Sequence, residues 1–155
     1  VEILAAETEQ VFGEILEHRL EFMPGAAELL AALESAGIPK AIATSSGRKF
    51  TCNILGRFQL EPRFSFILTC ENVTHGKPNP EIYLRAAEEF KLAPGEMMVL
   101  EDSQNGCRAA VAAGAFAVAV PAGPSATHDF MGAAIVADTL ADPRIYEALK
   151  LPLPC

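Results

Sequence analysis

The chain has 155 residues, a formal net charge of −8 and a hydrophobic content of 50%. This is a globular composition, sufficient for one domain with a buried core, and it excludes a disordered chain. The acidic balance argues against nucleic acid or an anionic membrane as a partner, because both need basic patches. No apolar run reaches the ~18–20 residues of a membrane span, and no signal-peptide pattern opens the chain. We therefore expect a cytoplasmic protein that is a monomer or a weak homo-oligomer.

The cysteines show no metal-binding pattern. They form no Cys-x-x-Cys pair and have no ligand-like spacing to a histidine, so we expect buried, reduced thiols. The residues concerned are Cys52, Cys70, Cys107 and Cys155, with His18, His75 and His128.

Helices and short strands are predicted to alternate along the first half. Apolar residues at helical spacing predict a helix over 2–21, which Met23–Pro24–Gly25 ends. Pro24 suits the first turn of the next helix, and Gly37 suits its C-terminal cap. The elements that follow are a helix over 24–36, a strand over 39–43, a helix over 48–58 and a strand over 65–69.

The same alternation continues to the end of the chain. The strand over 97–100 is apolar at every position, as expected where helices cover both faces of a sheet. Strands alternating with helices predict an α/β fold with a doubly wound parallel sheet and helices on both faces. The elements are helices over 81–91, 104–113 and 142–149, strands over 97–100, 116–120 and 133–137, and an irregular tail over 151–155.

Two adjacent acids, Glu101 and Asp102, follow a buried strand directly. Open α/β sheets place their ligands at the carboxyl ends of strands, and paired carboxylates there predict a Mg²⁺ site. The alternative is that the acids favour the N-terminus of the helix over 104–113, which accounts for Asp102 better than for Glu101.

Two further polar groups follow predicted strands. Thr44-Ser45-Ser46-Gly47 offers hydroxyl and backbone N–H groups that suit a phosphate, although a plain turn capping the helix over 48–58 is the alternative. Lys77 stands between Gly76 and Pro78, so its ammonium can be aimed at a phosphoryl group. A solvated surface lysine is the alternative there.

The three groups, in this order, resemble the motifs of the haloacid dehalogenase superfamily of phosphotransferases. The nearest subgroup is that of small sugar-phosphate phosphatases and β-phosphoglucomutase-like proteins. Thr44 matches the hydroxyl of the second motif, Lys77 the lysine of the third, and Glu101–Asp102 the acidic fourth motif. The resemblance covers roughly residues 10–140. It implies that 1–22 is the last helix of a helical cap and 23–155 an α/β core.

The chain departs from the family at the first motif, because it contains no Asp-x-Asp. In the family this motif supplies the nucleophile and the general acid/base, on a strand between those predicted over 39–43 and 97–100. Without that strand two buried edges would lack hydrogen-bond partners, which is costly. We therefore expect the chain to be part of a longer protein and to be inactive alone.

By resemblance, the complete protein is a Mg²⁺-dependent phosphatase of a small phosphorylated metabolite, most simply a sugar phosphate, acting through an aspartyl-phosphate. The runner-up is a phosphomutase, and a third reading is a non-catalytic module that binds a phosphorylated ligand or a partner protein. A dehalogenase is disfavoured, because the acid pair would then have no purpose. The implied roles are catalysis by Lys77 and Thr44, phosphate binding by Thr44, Ser45, Ser46, Arg48 and Lys77, and metal binding by Glu101 and Asp102. Arg48 has the alternative of a solvated surface arginine.

Overall fold

Helices and strands alternate along residues 21–153, the part of the chain that this computed structural model describes. All elements predicted after residue 23 are present. The predicted helix over 2–21 lies outside the described residues, apart from its last residue. The helices are α1 (Ala26–Ser35), α2 (Arg48–Arg57), α3 (Glu81–Phe90), α4 (Gln104–Ala113) and α5 (Pro143–Leu149). The strands are β1 (Ile42–Ala43), β2 (Ile67–Leu68), β3 (Met98–Glu101), β4 (Phe116–Ala119) and β5 (Ile135–Val136).

The start of α1 differs from its prediction, which placed Pro24 in the first helical turn. Gly25 is left-handed, with φ of 85°, and the helix begins at Ala26. A Cβ atom on Gly25 would lie 2.4 Å from the backbone nitrogen of Ala141. The turn therefore needs a glycine for both its backbone conformation and its close approach to the segment before α5.

All strand pairings in the described residues are parallel, as predicted. β1 pairs with β2, and β3, β4 and β5 form a second sheet in that order. β4 shows why both faces are apolar: Ala117 and Ala119 pack toward α3 and α4. Val118, and Val120 directly after the strand, pack toward α1 and α5. The α/β fold with helices on both faces is thus confirmed.

A groove separates the two sheets where the family resemblance places a further strand. β1 and β3 are not hydrogen-bonded to each other, and a space of about 460 Å³ lies between them. α1 contributes Leu29 and Leu33 to the lining, and α3 contributes Ala86 and Phe90. Leu100, a residue of β3, is 37% exposed because it faces this groove. The groove is thus apolar and lined by helices from both sides of the sheet.

β1 and β3 border the groove, and each turns backbone N–H and carbonyl groups toward it, so a further strand could pair there. The Ile42 N–H donates to the Phe66 carbonyl, so the backbone groups of Ala43 point the other way, into the groove. The N–H groups of Phe116 and Val120 donate to the carbonyls of Met97 and Glu101. By the same alternation, the intervening Leu100 turns its backbone groups toward the groove.

The thiol prediction is confirmed in part. Cys107 is fully buried on the core-facing side of α4, and burial raises the pKa of its thiol. Cys52 is half-buried, whereas Cys70 lies exposed in a short 3₁₀ turn after β2, so the expectation of burial is wrong for Cys70. All three are free thiols, and Cys155 lies outside the described residues. Among the described helices, none is long and apolar enough to cross a membrane.

Candidate active site

The carboxyl ends of β1 and β3 open onto one cavity of about 320 Å³. Parallel strands that end at the same edge bring together residues distant in sequence. Six of the seven predicted site residues line this cavity; Arg48 does not. The lining consists of Ala43, Thr44, Ser45, Ser46, Lys77, Leu100, Glu101, Asp102 and Ser103.

Lys77 is held by three neighbours rather than solvated. Its Nζ donates to the Ala43 carbonyl at 2.9 Å and to Oε1 of Glu101, and it lies 4.9 Å from the centre of the Tyr83 ring. The side chains of Lys77 and Glu101 are only 9% and 7% exposed. The alternative of a freely solvated surface lysine is therefore wrong, and the ammonium has a fixed position at the cavity.

Glu101 accepts hydrogen bonds from three side chains. Tyr83 donates its hydroxyl to the same Oε1 that binds Lys77, and Ser103 Oγ donates to Oε2 at 3.1 Å. Burial and the nearby carboxylate of Glu101 raise the pKa of Tyr83 far above its ordinary value, which keeps the phenol protonated and donating. Glu101 is therefore a satisfied, buried carboxylate whose position is fixed from two elements, α3 and the start of α4.

Gly106 makes room for this carboxylate. A Cβ atom there would lie 1.9 Å from Oε2 and 2.0 Å from the carboxyl carbon of Glu101. Neither Gly106 nor Tyr83 was predicted as a site residue. The apolar spacing of the helix over 81–91 indicated only a core role for Tyr83. For Gly106 the sequence indicated nothing beyond its position in the acidic motif.

Gly106→Ala is expected to lower the free energy of unfolding by about 1–3 kcal/mol, because overpacking displaces the buried Glu101 carboxylate. The matched control is Gly56→Ala, also within a helix, where an added Cβ meets no atom within 4 Å. The free energy of unfolding of Gly56→Ala should rise by up to about 1 kcal/mol, because alanine has a higher helix propensity than glycine. Urea unfolding of both variants measures the difference, and equal stability of the two would contradict the packing argument.

The Thr44-Ser45-Ser46 turn faces the cavity without capping α2. Thr44 Oγ1 accepts the Ser46 N–H at 3.1 Å, and Ser45 is exposed. Gly47 is the N-cap residue of α2 and makes no side-chain cap bond, whereas the Arg48 N–H donates to Glu71. The alternative that this turn exists to cap the helix is therefore wrong. Within the described residues, the Ser45 N–H makes no hydrogen bond, which leaves it available to an anion.

Arg48 lies close to this turn in sequence, but its guanidinium is directed elsewhere. Nη2 donates to the Ile67 carbonyl at 2.9 Å and to Asn72 Oδ1 at 3.3 Å. These bonds tie the start of α2 to the end of β2. Arg48 is thus an exposed arginine held by partners outside the cavity, and it is not brought to the other predicted residues, which agrees with the surface-arginine alternative.

The two acids differ in their surroundings. Asp102 is exposed at the cavity, while Glu101 is buried with both carboxylate oxygens bonded. The cap of α4 is Ser103, whose Oγ accepts the Gly106 N–H, so capping accounts for neither acid. Across residues 21–153, no cluster of three or more acidic, histidine or cysteine side chains could hold a metal. Mg²⁺ is commonly bound through one or two carboxylates, with waters and substrate phosphates completing its shell, so this donor set fits Mg²⁺.

A family model described as haloacid dehalogenase-like hydrolase matches residues 2–120. Among curated relatives, a phosphorylated carbohydrates phosphatase from Thermotoga maritima is 37% identical over 108 residues, 70% of this chain and 48% of its own length. The chain spans half or less of the length of the first curated relatives that it matches.

Solved structures show the same relationship. CbbY from Rhodobacter sphaeroides, in complex with phosphate, aligns with a TM-score of 0.83 and 31% identity, over 91% of this chain and 64% of its own. A β-phosphoglucomutase homologue from Thermotoga maritima aligns with a TM-score of 0.76 and 28% identity, over 96% and 69%. The chain belongs to the haloacid dehalogenase-like hydrolases, in their sugar-phosphate phosphatase and β-phosphoglucomutase-like subgroup.

Proposed function

We propose that this chain carries the phosphate- and metal-binding part of a Mg²⁺-dependent phosphatase that hydrolyses a small phosphorylated metabolite, with a sugar phosphate as the favoured class. One observation carries the proposal: the free Ser45 N–H, the fixed Lys77 ammonium and the exposed Asp102 carboxylate line a single cavity. A cavity with a hydrogen-bond donor, a cation and a metal-binding acid suits a phosphate monoester. Of the named relatives, one is a phosphatase of phosphorylated carbohydrates and another is seen in complex with phosphate, which supports the same class.

Each residue has a proposed task. Thr44 and the Ser45 N–H bind phosphate oxygens, and Ser46 orients Thr44 through its N–H. Lys77 offsets the negative charge that accumulates on the phosphoryl group and the attacking carboxylate. Asp102 would bind Mg²⁺, and Glu101, whose oxygens already bond Lys77, Tyr83 and Ser103, would add negative charge beside it. The bound ion would supply charge neutralisation and orientation of the phosphate.

The nucleophile is proposed to be an aspartate on a strand seated in the groove between β1 and β3. Such a strand would pair with the backbone groups of Ala43 and Leu100 that face the groove, and it would end beside Lys77, which already donates to the Ala43 carbonyl. Its carboxylate oxygen attacks phosphorus while the ester P–O bond breaks, and the leaving alkoxide takes a proton from the second aspartate of the Asp-x-Asp motif, which later accepts a proton from the attacking water. Water then cleaves the resulting acyl phosphate, which releases inorganic phosphate and regenerates the carboxylate. A phosphomutase would pass the phosphoryl group to a sugar hydroxyl instead.

The test is phosphate release by the protein expressed from its natural gene, assayed on a panel of sugar phosphates with Mg²⁺ and with EDTA. We expect an intact mass above 16.5 kDa and turnover that EDTA abolishes. Binding of inorganic phosphate without turnover would favour the non-catalytic module. Transfer between sugar hydroxyls without net phosphate release would favour the mutase.

A further inference from the structure

The buried tyrosine Tyr83 contacts both members of the ion pair at the cavity. Its hydroxyl donates to Glu101, and its ring lies beneath the Lys77 ammonium, 4.9 Å from ring centre to Nζ. Tyr83 is only 3% exposed, and it comes from α3, an element that contributes no residue to the cavity lining. It therefore reaches the site only through the groups that it holds.

We propose that Tyr83 is a positioning residue, which fixes the Lys77 ammonium at the cavity by anchoring the Glu101 carboxylate and by stacking against the ammonium. The further step, in which this ammonium faces a phosphoryl group, rests on the proposed function. The placement of the ammonium itself does not.

The hydrogen-bond arrangement explains why an anchor is needed. Lys77 and Tyr83 share one carboxylate oxygen, Oε1, while Ser103 takes the other. Without the tyrosine hydroxyl, Glu101 would keep one neutral donor and one cation, and it could rotate toward the exposed side. The Lys77 side chain is long and has many rotamers, and besides Glu101 and the Tyr83 ring only the Ala43 carbonyl holds its ammonium among the described residues, so its position depends on that of its carboxylate partner.

The second tyrosine of the chain provides a matched control. Tyr146 is 1% exposed in the other core cluster, and its buried hydroxyl has no hydrogen-bond partner among the described residues. Tyr83→Phe and Tyr146→Phe therefore remove the same atom from equally buried rings. Only the first change touches the ion pair.

The experiment is NMR measurement of the exchange of lysine ammonium protons with water, in the complete protein and without phosphate or metal. We expect the Lys77 ammonium to exchange about tenfold faster in Tyr83→Phe, the effect of losing one charge-assisted hydrogen bond in the cluster. Tyr146→Phe should leave it unchanged. Lys40, 12% exposed and paired with Glu34, reports on the general integrity of the fold.

Equal Lys77 exchange in the two variants would overturn the proposal. A parallel rise for Lys40 would also overturn it, because Tyr83 would then merely support the fold.

A second readout separates this proposal from the proposed function. In the complete enzyme, Tyr83→Phe should lower kcat about tenfold with little change in KM, and it should have no further effect when Lys77 is already Met. A wild-type protein without phosphatase activity would contradict the proposed function and leave the exchange result decisive for Tyr83. An active enzyme with an undiminished kcat in Tyr83→Phe would contradict the catalytic consequence of the positioning.

Discussion

Asp102→Asn is expected to lower Mg²⁺-dependent phosphate release by the complete enzyme by about 10²–10³-fold, because a bound metal contributes several kcal/mol of charge stabilisation. The change keeps the size of the side chain and one oxygen, and it replaces the other oxygen and the negative charge with a neutral NH₂ group. Asp102 is exposed at the cavity, so no buried partner is left unpaired and the fold should be preserved. The activity loss therefore reports on the metal site.

The measurement is phosphate release as a function of Mg²⁺ concentration. Asp138→Asn is the control, since Asp138 is also exposed and follows β5, yet does not line the cavity. The control should keep the wild-type Mg²⁺ dependence. Near-normal activity of Asp102→Asn at low Mg²⁺ would refute the metal assignment for this acid.

The element order could be predicted because glycine and proline mark most element boundaries. Between these boundaries, the spacing of apolar residues distinguishes helices from strands. Strand lengths were less predictable. The segment 39–43 was predicted as a five-residue strand, yet β1 has two residues, because only Ile42 and Ala43 pair with β2. β3 and β4, which pair along their whole length, come close to their predicted bounds. Strand length thus depends on neighbours as well as on local sequence.

The convergence of the three polar groups could be predicted, because carboxyl ends of parallel strands meet at one sheet edge. The hydrogen-bond partners of those side chains could not be predicted. The Tyr83 hydroxyl meets a carboxylate 18 residues further along the chain, a contact that helical periodicity does not encode. Arg48 shows the converse, since it lies close to the phosphate turn in sequence but reaches the Ile67 carbonyl 19 residues away. Long side chains follow the nearest buried acceptor.

Lys77→Ala is expected to lower kcat of the complete enzyme by about 10²–10³-fold, the usual effect of removing one electrostatic stabiliser of a developing negative charge. It should also destabilise the fold by about 3–5 kcal/mol, because it leaves the buried Glu101 carboxylate without its cation. Lys49→Ala is the control, since Lys49 is exposed on α2 and does not line the cavity. Steady-state kinetics and thermal unfolding are measured on both variants.

The two effects can be separated with the double variant Lys77→Met/Glu101→Gln. This pair removes both charges while keeping the side-chain volumes, so stability should recover toward that of the wild type. Activity should remain low, because no cation faces the phosphoryl group. Recovery of kcat together with stability would mean that the ion pair serves only the fold. Stability restored without kcat would show that the charges of the Lys77–Glu101 pair act in catalysis as well as in the fold, and the single variant Lys77→Ala assigns the part that belongs to the ammonium.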